Sequence, residues 1–363
     1  MRVLQREESH RAEIEELRQA LLSCAWVHRR KDEEEQFRGR IGTNKDGNDD
    51  VVEEKVVCVT SGVSFLGLAI VSKLLLRGYS VRVIVTNQGD AEKLREMEIL
   101  GEMRGANNKM KAVVASLTEI ESLAQAMEGC HGVFHTSALV DPAGVSGYTK
   151  SMADIEVKAS ECVMEACART SSVRKCVLTS SLLACIWHDK SRDDLPSVIN
   201  HECWSDESLC MDKKLWYALG KLRAEKAAWR VAEQRGLKLV TICPGLVTGS
   251  EFCHRNPTAT IAYLKGVQEM YADGLLASVD VNRLAEGHVC VFEAMNKTAF
   301  GRYICFDRVI RMEDEAEELA KATGMQIKRT SGDSSSDFRI PFELSDMKLS
   351  RLMSSRMQCR SEC

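Results

Sequence analysis

Short runs of β-branched and aliphatic residues alternate along this chain with stretches of helical periodicity. The runs are VVCVT (56–60), YSVRVIV (79–85), KAVVAS (111–116), GVFHTS (132–137), RKCVLTS (174–180) and LKLVTIC (237–243). Between them, FLGLAIVSKLLLRG (65–78) and the stretches 118–128, 151–170 and 214–235 repeat their apolar residues at helical spacing. A parallel neighbour is reached only by a crossover long enough to hold a helix, so this alternation predicts parallel βαβ units. Enough helices are present to cover both faces, which predicts an α/β fold built on a doubly wound, Rossmann-type parallel sheet. After Gly249 the rhythm is lost. Helical segments near 280–294 and 312–322 flank one short strand, GRYICF (301–306), and this region reads as a smaller C-terminal lobe over a substrate.

The first 54 residues have a different pattern. Up to Lys55 the chain carries 11 basic and 14 acidic residues, against 28% charged overall, which marks an extension rather than core. Ile14, Leu17 and Leu21 recur at helical spacing, so a short amphipathic helix is expected over 10–27, packed on the body or on a partner protein, ahead of a polar linker (39–50). The expected division is 1–54 extension, 55–250 nucleotide-binding domain and 251–363 mainly substrate lobe.

Charge and cysteine usage narrow the function. With 49 basic and 53 acidic residues, a net charge of −4 and a pI near 6.1, the chain is not built to bind nucleic acid through phosphate contacts. The start lacks the basic-then-apolar order of a secretory signal, and the uncharged stretch Val56 to Ser72 is too broken by Thr, Ser and Gly to span a bilayer, so a cytoplasmic protein off the membrane is expected. The 15 cysteines are scattered and none stands in a Cys-x-x-Cys spacing, which predicts buried thiols and no metal site.

The first strand runs into Ser61-Gly62-Val63-Ser64-Phe65-Leu66-Gly67, where the first helix opens. A strand-to-helix turn of small residues there brings backbone N–H groups and the positive helix end against a pyrophosphate. Serines Ser61 and Ser64 hold the first two glycine places of a Gly-x-x-Gly-x-x-Gly pattern, Gly62 comes one residue late, and Gly67 stands in register. The tip of the second strand, Val85-Thr86-Asn87, offers neither an acid for a ribose diol nor a base for a 2′-phosphate. Lys93, two helical turns on, either reaches such a phosphate, which favours NADP(H) without excluding NAD(H), or is a plain solvent-facing lysine.

Tyr217 and Lys221 lie four apart on a helical stretch and so share one face. An ammonium beside a phenol stabilises the phenolate and is expected to lower the tyrosine's pKa toward the working pH, making it a general acid or base. Ser180 and Ser181 end the strand RKCVLTS, where an α/β sheet places its ligands and where a hydroxyl can polarise a carbonyl.

These motifs together resemble the extended short-chain dehydrogenase/reductases, and within them the plant cinnamoyl-CoA reductase and dihydroflavonol reductase group. The resemblance runs from about Val56 to Arg351 and rests on VCVTSGVSFLG, GCHGVFHTSA, RKCVLTSS, CPGLVTG and the block HECWSDESLCMDKKLWYALGK (201–221). It implies Ser181, Tyr217 and Lys221 as catalytic residues, with Ser180 as fallback for Ser181. It further implies Pro244 and Leu246 near the nicotinamide, Lys221 on its ribose, and the Ser61–Gly67 turn on the pyrophosphate. The sequence departs from the group at Thr86 in place of an arginine, at Ser116 in place of an acid, and at Leu215, Ala218 and Leu219, where typical cinnamoyl-CoA reductases read Asn-Trp-Tyr-Cys-Tyr-Gly-Lys. The expected activity is NADP(H)-dependent reduction of a carbonyl or acyl-CoA thioester of a phenylpropanoid- or flavonoid-type substrate. The alternatives are a weakly active cofactor-binding scaffold that engages a partner through the N-terminal helix, and epimerase or dehydratase chemistry on a nucleotide sugar.

Overall fold

The computed structural model describes residues 55–361, apart from 102, 104, 107, 137–147, 192–194, 251, 253–256, 325, 326 and 328–341. The expected helix at 10–27, and with it the expected partner surface, lies outside the described residues.

Seven strands form the central sheet: β1 (Val56–Val59), β2 (Ser80–Val85), β3 (Met110–Val114), β4 (Gly132–Thr136), β5 (Lys175–Thr179), β6 (Lys238–Pro244) and β7 (Gly301–Cys305). Their spatial order is β7-β6-β5-β4-β1-β2-β3 with every pair parallel. The chain starts in the middle, winds to one edge, then crosses back and winds to the other. Loops on either side of the β1/β4 reversal therefore diverge and leave a crevice at the strands' C-terminal ends.

Period-two alternation sends neighbouring residues to opposite faces. Val57 and Val59 pack with α1 (Phe65–Leu76), whereas Cys58 packs on the other face with Val133, Cys176 and Leu178. The second face is covered by α3 (Ile120–Met127), α4 (Lys150–Arg169) and α5 (Trp216–Arg235), and the first by α1 and α6 (Val281–Ala294); α2 (Gln88–Ile99) connects β2 to β3. Side-chain caps open four of these helices: Ser64 accepts from the Gly67 amide at 3.1 Å, Asn87 from Asp90 at 2.9 Å, Thr149 from Met152 at 3.3 Å and Asp280 from Asn282 at 2.8 Å.

A third core joins Trp187, Tyr263, Tyr271 and Leu276 with Leu215, Ala218 and Leu219 of the α5 entry. It carries a small sheet of Leu246–Thr248, Ala277–Asp280 and Arg308–Val309, and the helices 257–263 and 267–272. A division at residue 250 does not follow the packing: α6 lies on α1, and GRYIC is not a lobe strand but the edge strand of the main sheet, in register from Gly301↔Val240 to Cys305↔Pro244. That pairing depends on a partner some sixty residues away, which local periodicity cannot reveal. Eleven cysteines with described side chains are free thiols, ten of them buried. No helix of the described residues is long and apolar enough to cross a membrane.

Candidate active site

At the β1/β4 reversal a cavity opens to solvent against the C-terminal ends of β4, β5 and β6. The β1–α1 turn supplies Ser64, Phe65 and Leu66; β5 and its exit supply Thr179, Ser180 and Ser181; and the β6 exit supplies Pro244, Gly245 and Leu246. Tyr217 and Lys221 face it from α5, while Thr260 and Tyr263 close it from the lobe. Most of the residues singled out in the sequence thus converge on one space. Lys93 does not line it: it sits on α2 with its ammonium 3.6 Å from Asp90. Arg82 is turned away, donating to the Ala126 and Glu128 carbonyls.

The β1–α1 turn fits a dinucleotide phosphate despite its serines. A Cβ on Gly67 would lie 2.3 Å from the Ser61 carbonyl oxygen and 2.8 Å from Gly62 Cα, so the turn closes tightly only with glycine there. Gly62 is equally confined, since a Cβ would fall 2.2 Å from Val83 Cγ1. Ser61 adopts φ 49°, the left-handed conformation that glycine takes most readily. The first turn of α1 carries no acidic residue to repel an anion.

The two serines after β5 differ in role. Ser180 Oγ donates to Glu225 Oε2 at 2.6 Å, and Glu225 is fully buried against Arg302. Ser181 Oγ accepts from the Leu183 amide at 3.2 Å, capping a short turn, which leaves its own proton to donate into the cavity. Ser180 is therefore held as structure, and Ser181 is the hydroxyl fitted to polarise a carbonyl.

Lys221 Nζ stands 5.5 Å from the Tyr217 ring centroid. It also meets a residue the sequence reading missed: Glu156 of α4, whose Oε1 is 2.5 Å from Nζ. The other Glu156 oxygen accepts from the Tyr148 hydroxyl, and the Tyr148 ring stands edge-on to Tyr217 with centroids 5.0 Å apart. The expected acidification of Tyr217 is not what the structure shows. Burial raises the phenol's pKa and Glu156 raises it further, against the lowering by Lys221. Burial acts to lower the pKa of Lys221, but Glu156 and Tyr217 together hold it above the ordinary lysine value. A signal for Glu156 was present in the sequence, because it interrupts the buried stripe Ala153, Ala159, Val163 and Cys167 with an acid. Its partner was not, being 65 residues further along the chain.

The departures from the cinnamoyl-CoA reductase pattern at Leu215, Ala218 and Leu219 are buried in the lobe core and none lines the cavity. Trp204 stacks on the Arg302 guanidinium at 3.5 Å, a packing role.

Comparison with known proteins gives the family. The model of the 3-beta hydroxysteroid dehydrogenase/isomerase family matches residues 58–301. Cinnamoyl-CoA reductase 1 of Petunia hybrida is 36% identical over 277 residues, 74% of this chain and 78% of its own length. Tetraketide alpha-pyrone reductase 1 of Arabidopsis thaliana is 33% identical over 71% of this chain and 78% of its own length. Among solved structures, vestitone reductase from alfalfa (Medicago sativa) superposes with a TM-score of 0.59 at 26% identity, covering 82% of this chain and 91% of that one. The chain therefore belongs to the 3-beta hydroxysteroid dehydrogenase/isomerase family, among its cinnamoyl-CoA-reductase-like members, and is an NAD(P)H-dependent oxidoreductase.

Proposed function

We propose that the protein uses NADP(H) to reduce the carbonyl of an aromatic substrate, either a ketone or the thioester of an aromatic acyl-CoA. The observation that carries this reading is the shared cavity: Ser181, Tyr217, Lys221 and the β1–α1 turn all face one space. Residues Ser61 to Gly67 would hold the pyrophosphate, Pro244 and Leu246 the nicotinamide, and Lys221 its ribose. Lys93, on the helix after β2, is the cation offered for a 2′-phosphate. The bound dinucleotide supplies the hydride.

The Ser181 hydroxyl donates to the carbonyl oxygen and fixes the carbonyl against the cavity floor. As that oxygen gains an electron pair, Tyr217 delivers its phenolic proton to it, and a ketone leaves as an alcohol. With a thioester the same proton delivery yields a hemithioacetal; its carbon–sulfur bond then breaks, the oxygen-bound proton passes to sulfur, and aldehyde and free thiol result. Tyr148, Tyr217 and Tyr263 ring the cavity with Leu246 and Val247, an aromatic and apolar wall suited to a planar aromatic group.

The experiment is a fluorescence titration with NADPH and NADH, followed by assay on a panel of aromatic acyl-CoAs and flavonoid ketones. Tight NADPH binding with turnover of at least one panel member is expected, and Tyr217→Phe should keep cofactor binding while losing at least about 100-fold in kcat. NADPH binding without any turnover would favour a cofactor-binding scaffold, and full activity in Tyr217→Phe would remove the proposed acid.

A further inference from the structure

Glu156 is 2% exposed and Lys221 4%, so their ion pair is closed off from water on the wall of the cavity. Burying two charges is costly, and a packed apolar pair would stabilise a fold as well. The pair is also not isolated, because Tyr148 ties the second carboxylate oxygen to the ring that abuts Tyr217. Glu156 thus touches both Lys221 and Tyr148, two side chains that lie beside Tyr217. We propose that Glu156 is a positioning residue that holds Lys221 as half of a neutral buried pair, so that Tyr217 is set to give a proton to a carbonyl rather than to take one from an alcohol. This rests on the reading of the cavity as a carbonyl-reduction site and adds to it a direction.

Among the described residues, the surroundings of Tyr217 contain no other net charge to do this. From its own helix it meets Lys221, and Glu225 further along is neutralised by Arg302 at 2.8 Å. From α4 and the residue preceding its cap come Glu156 and Tyr148. From the helix 257–263 comes Tyr263, whose phenol burial keeps protonated. At the end of β4, His135 bonds Thr60 through Nδ1 at 2.9 Å, and burial with the nearby Lys221 pushes its pKa down to about 3, so it is neutral at working pH. Burial holds the phenol protonated, Lys221 alone would favour the phenolate, and Glu156 at 2.5 Å from its ammonium offsets part of that effect.

Tyrosine ionisation followed by ultraviolet absorbance on the protein without cofactor tests this directly. Comparison of wild type with Tyr217→Phe identifies the Tyr217 step, which should lie above an ordinary tyrosine. In Glu156→Gln that step should fall by about 1 to 3 pH units, and it should be absent from Glu156→Gln/Tyr217→Phe. The reductive pH profile should lose its alkaline side by the same amount. Should Glu156→Gln not fold, Glu156→Gln/Lys221→Met removes both charges as a pair and should leave the Tyr217 step within about half a unit of wild type. A Tyr217 step that stays or rises in Glu156→Gln, a shift that persists without Tyr217, or a rise beyond one unit in the charge-free double variant would each overturn the proposal. The titration needs neither cofactor nor substrate, so a failed substrate panel leaves it readable, and turnover with an unmoved step sinks this inference alone.

Discussion

Ser61 shows how one residue can bend a local rule without losing the motif. Its φ of 49° places an L-residue where a Cβ crowds the following carbonyl, at about 1–2 kcal/mol. The turn survives because Gly62 and Gly67 occupy the two positions where a Cβ would collide outright. Ser61→Gly should therefore raise stability by roughly 0.5–1 kcal/mol, the relief of strain being partly offset by glycine's greater freedom in the unfolded chain. Urea denaturation measures it, together with NADPH affinity, which should be unchanged or tighter. A lower urea midpoint in Ser61→Gly would show that the serine side chain contributes more than its backbone costs. At this scale the sequence singled out side chains that could carry chemistry but not what they touch. Ser180 and Ser181 are indistinguishable in RKCVLTSS, and only Glu225, 45 residues along the chain from Ser180, separates a hydroxyl anchored to a carboxylate from one that is not.

Elements were legible wherever the signal was local. The helices expected over 118–128, 151–170 and 214–235 stand at 120–127, 150–169 and 216–235, because apolar spacing acts within a few residues. The assignment of β7 was not local. Its place beside β6 is secured by Arg302, which crosses the sheet edge to pair with Glu225 of α5 at 2.8 Å and stacks on Trp204. Arg302 thereby links β7 to the helix that bears Tyr217 and, through Glu225, to Ser180. Arg302→Met should cost about 3–5 kcal/mol, since it strands a buried carboxylate, whereas Arg302→Met/Glu225→Met should recover much of that loss. Chemical denaturation of the three proteins decides this; a double variant no better than the single would mean that Arg302 acts through Trp204 rather than through the ion pair.

Across the whole molecule, two buried histidines tie the fold to pH. His288 bridges α6 to Thr179 of β5 at 2.8 Å, and burial, partly offset by its bond to the Leu284 carbonyl, lowers its pKa to about 4; His135 beside Thr60 is lowered to about 3. Unfolded, both return to the ordinary 6.5 and take up protons that the folded state refuses. Stability is thus full above about pH 6.5 and falls as pH drops toward their folded values. Between pH 7 and pH 5 the loss should be roughly 2 kcal/mol per histidine. Thermal and urea unfolding at the two pH values measure it, and His288→Asn should remove about half of the dependence; a stability that is flat across this range would show that neither histidine is held neutral.

The alternating pattern of runs and helices determined by itself that this chain would form a parallel, doubly wound sheet with a phosphate-type turn after its first strand. Burial of a strand or helix face depends on residues two to four positions apart, so that information is written locally. The tertiary structure alone decided that GRYIC closes the main sheet, that Ser181 rather than Ser180 is the available hydroxyl, and that Glu156 meets Lys221. Each of these depends on groups far apart in the chain coming within hydrogen-bond distance, where the balance between desolvation and charge is set by three-dimensional neighbours that spacing along the chain does not encode.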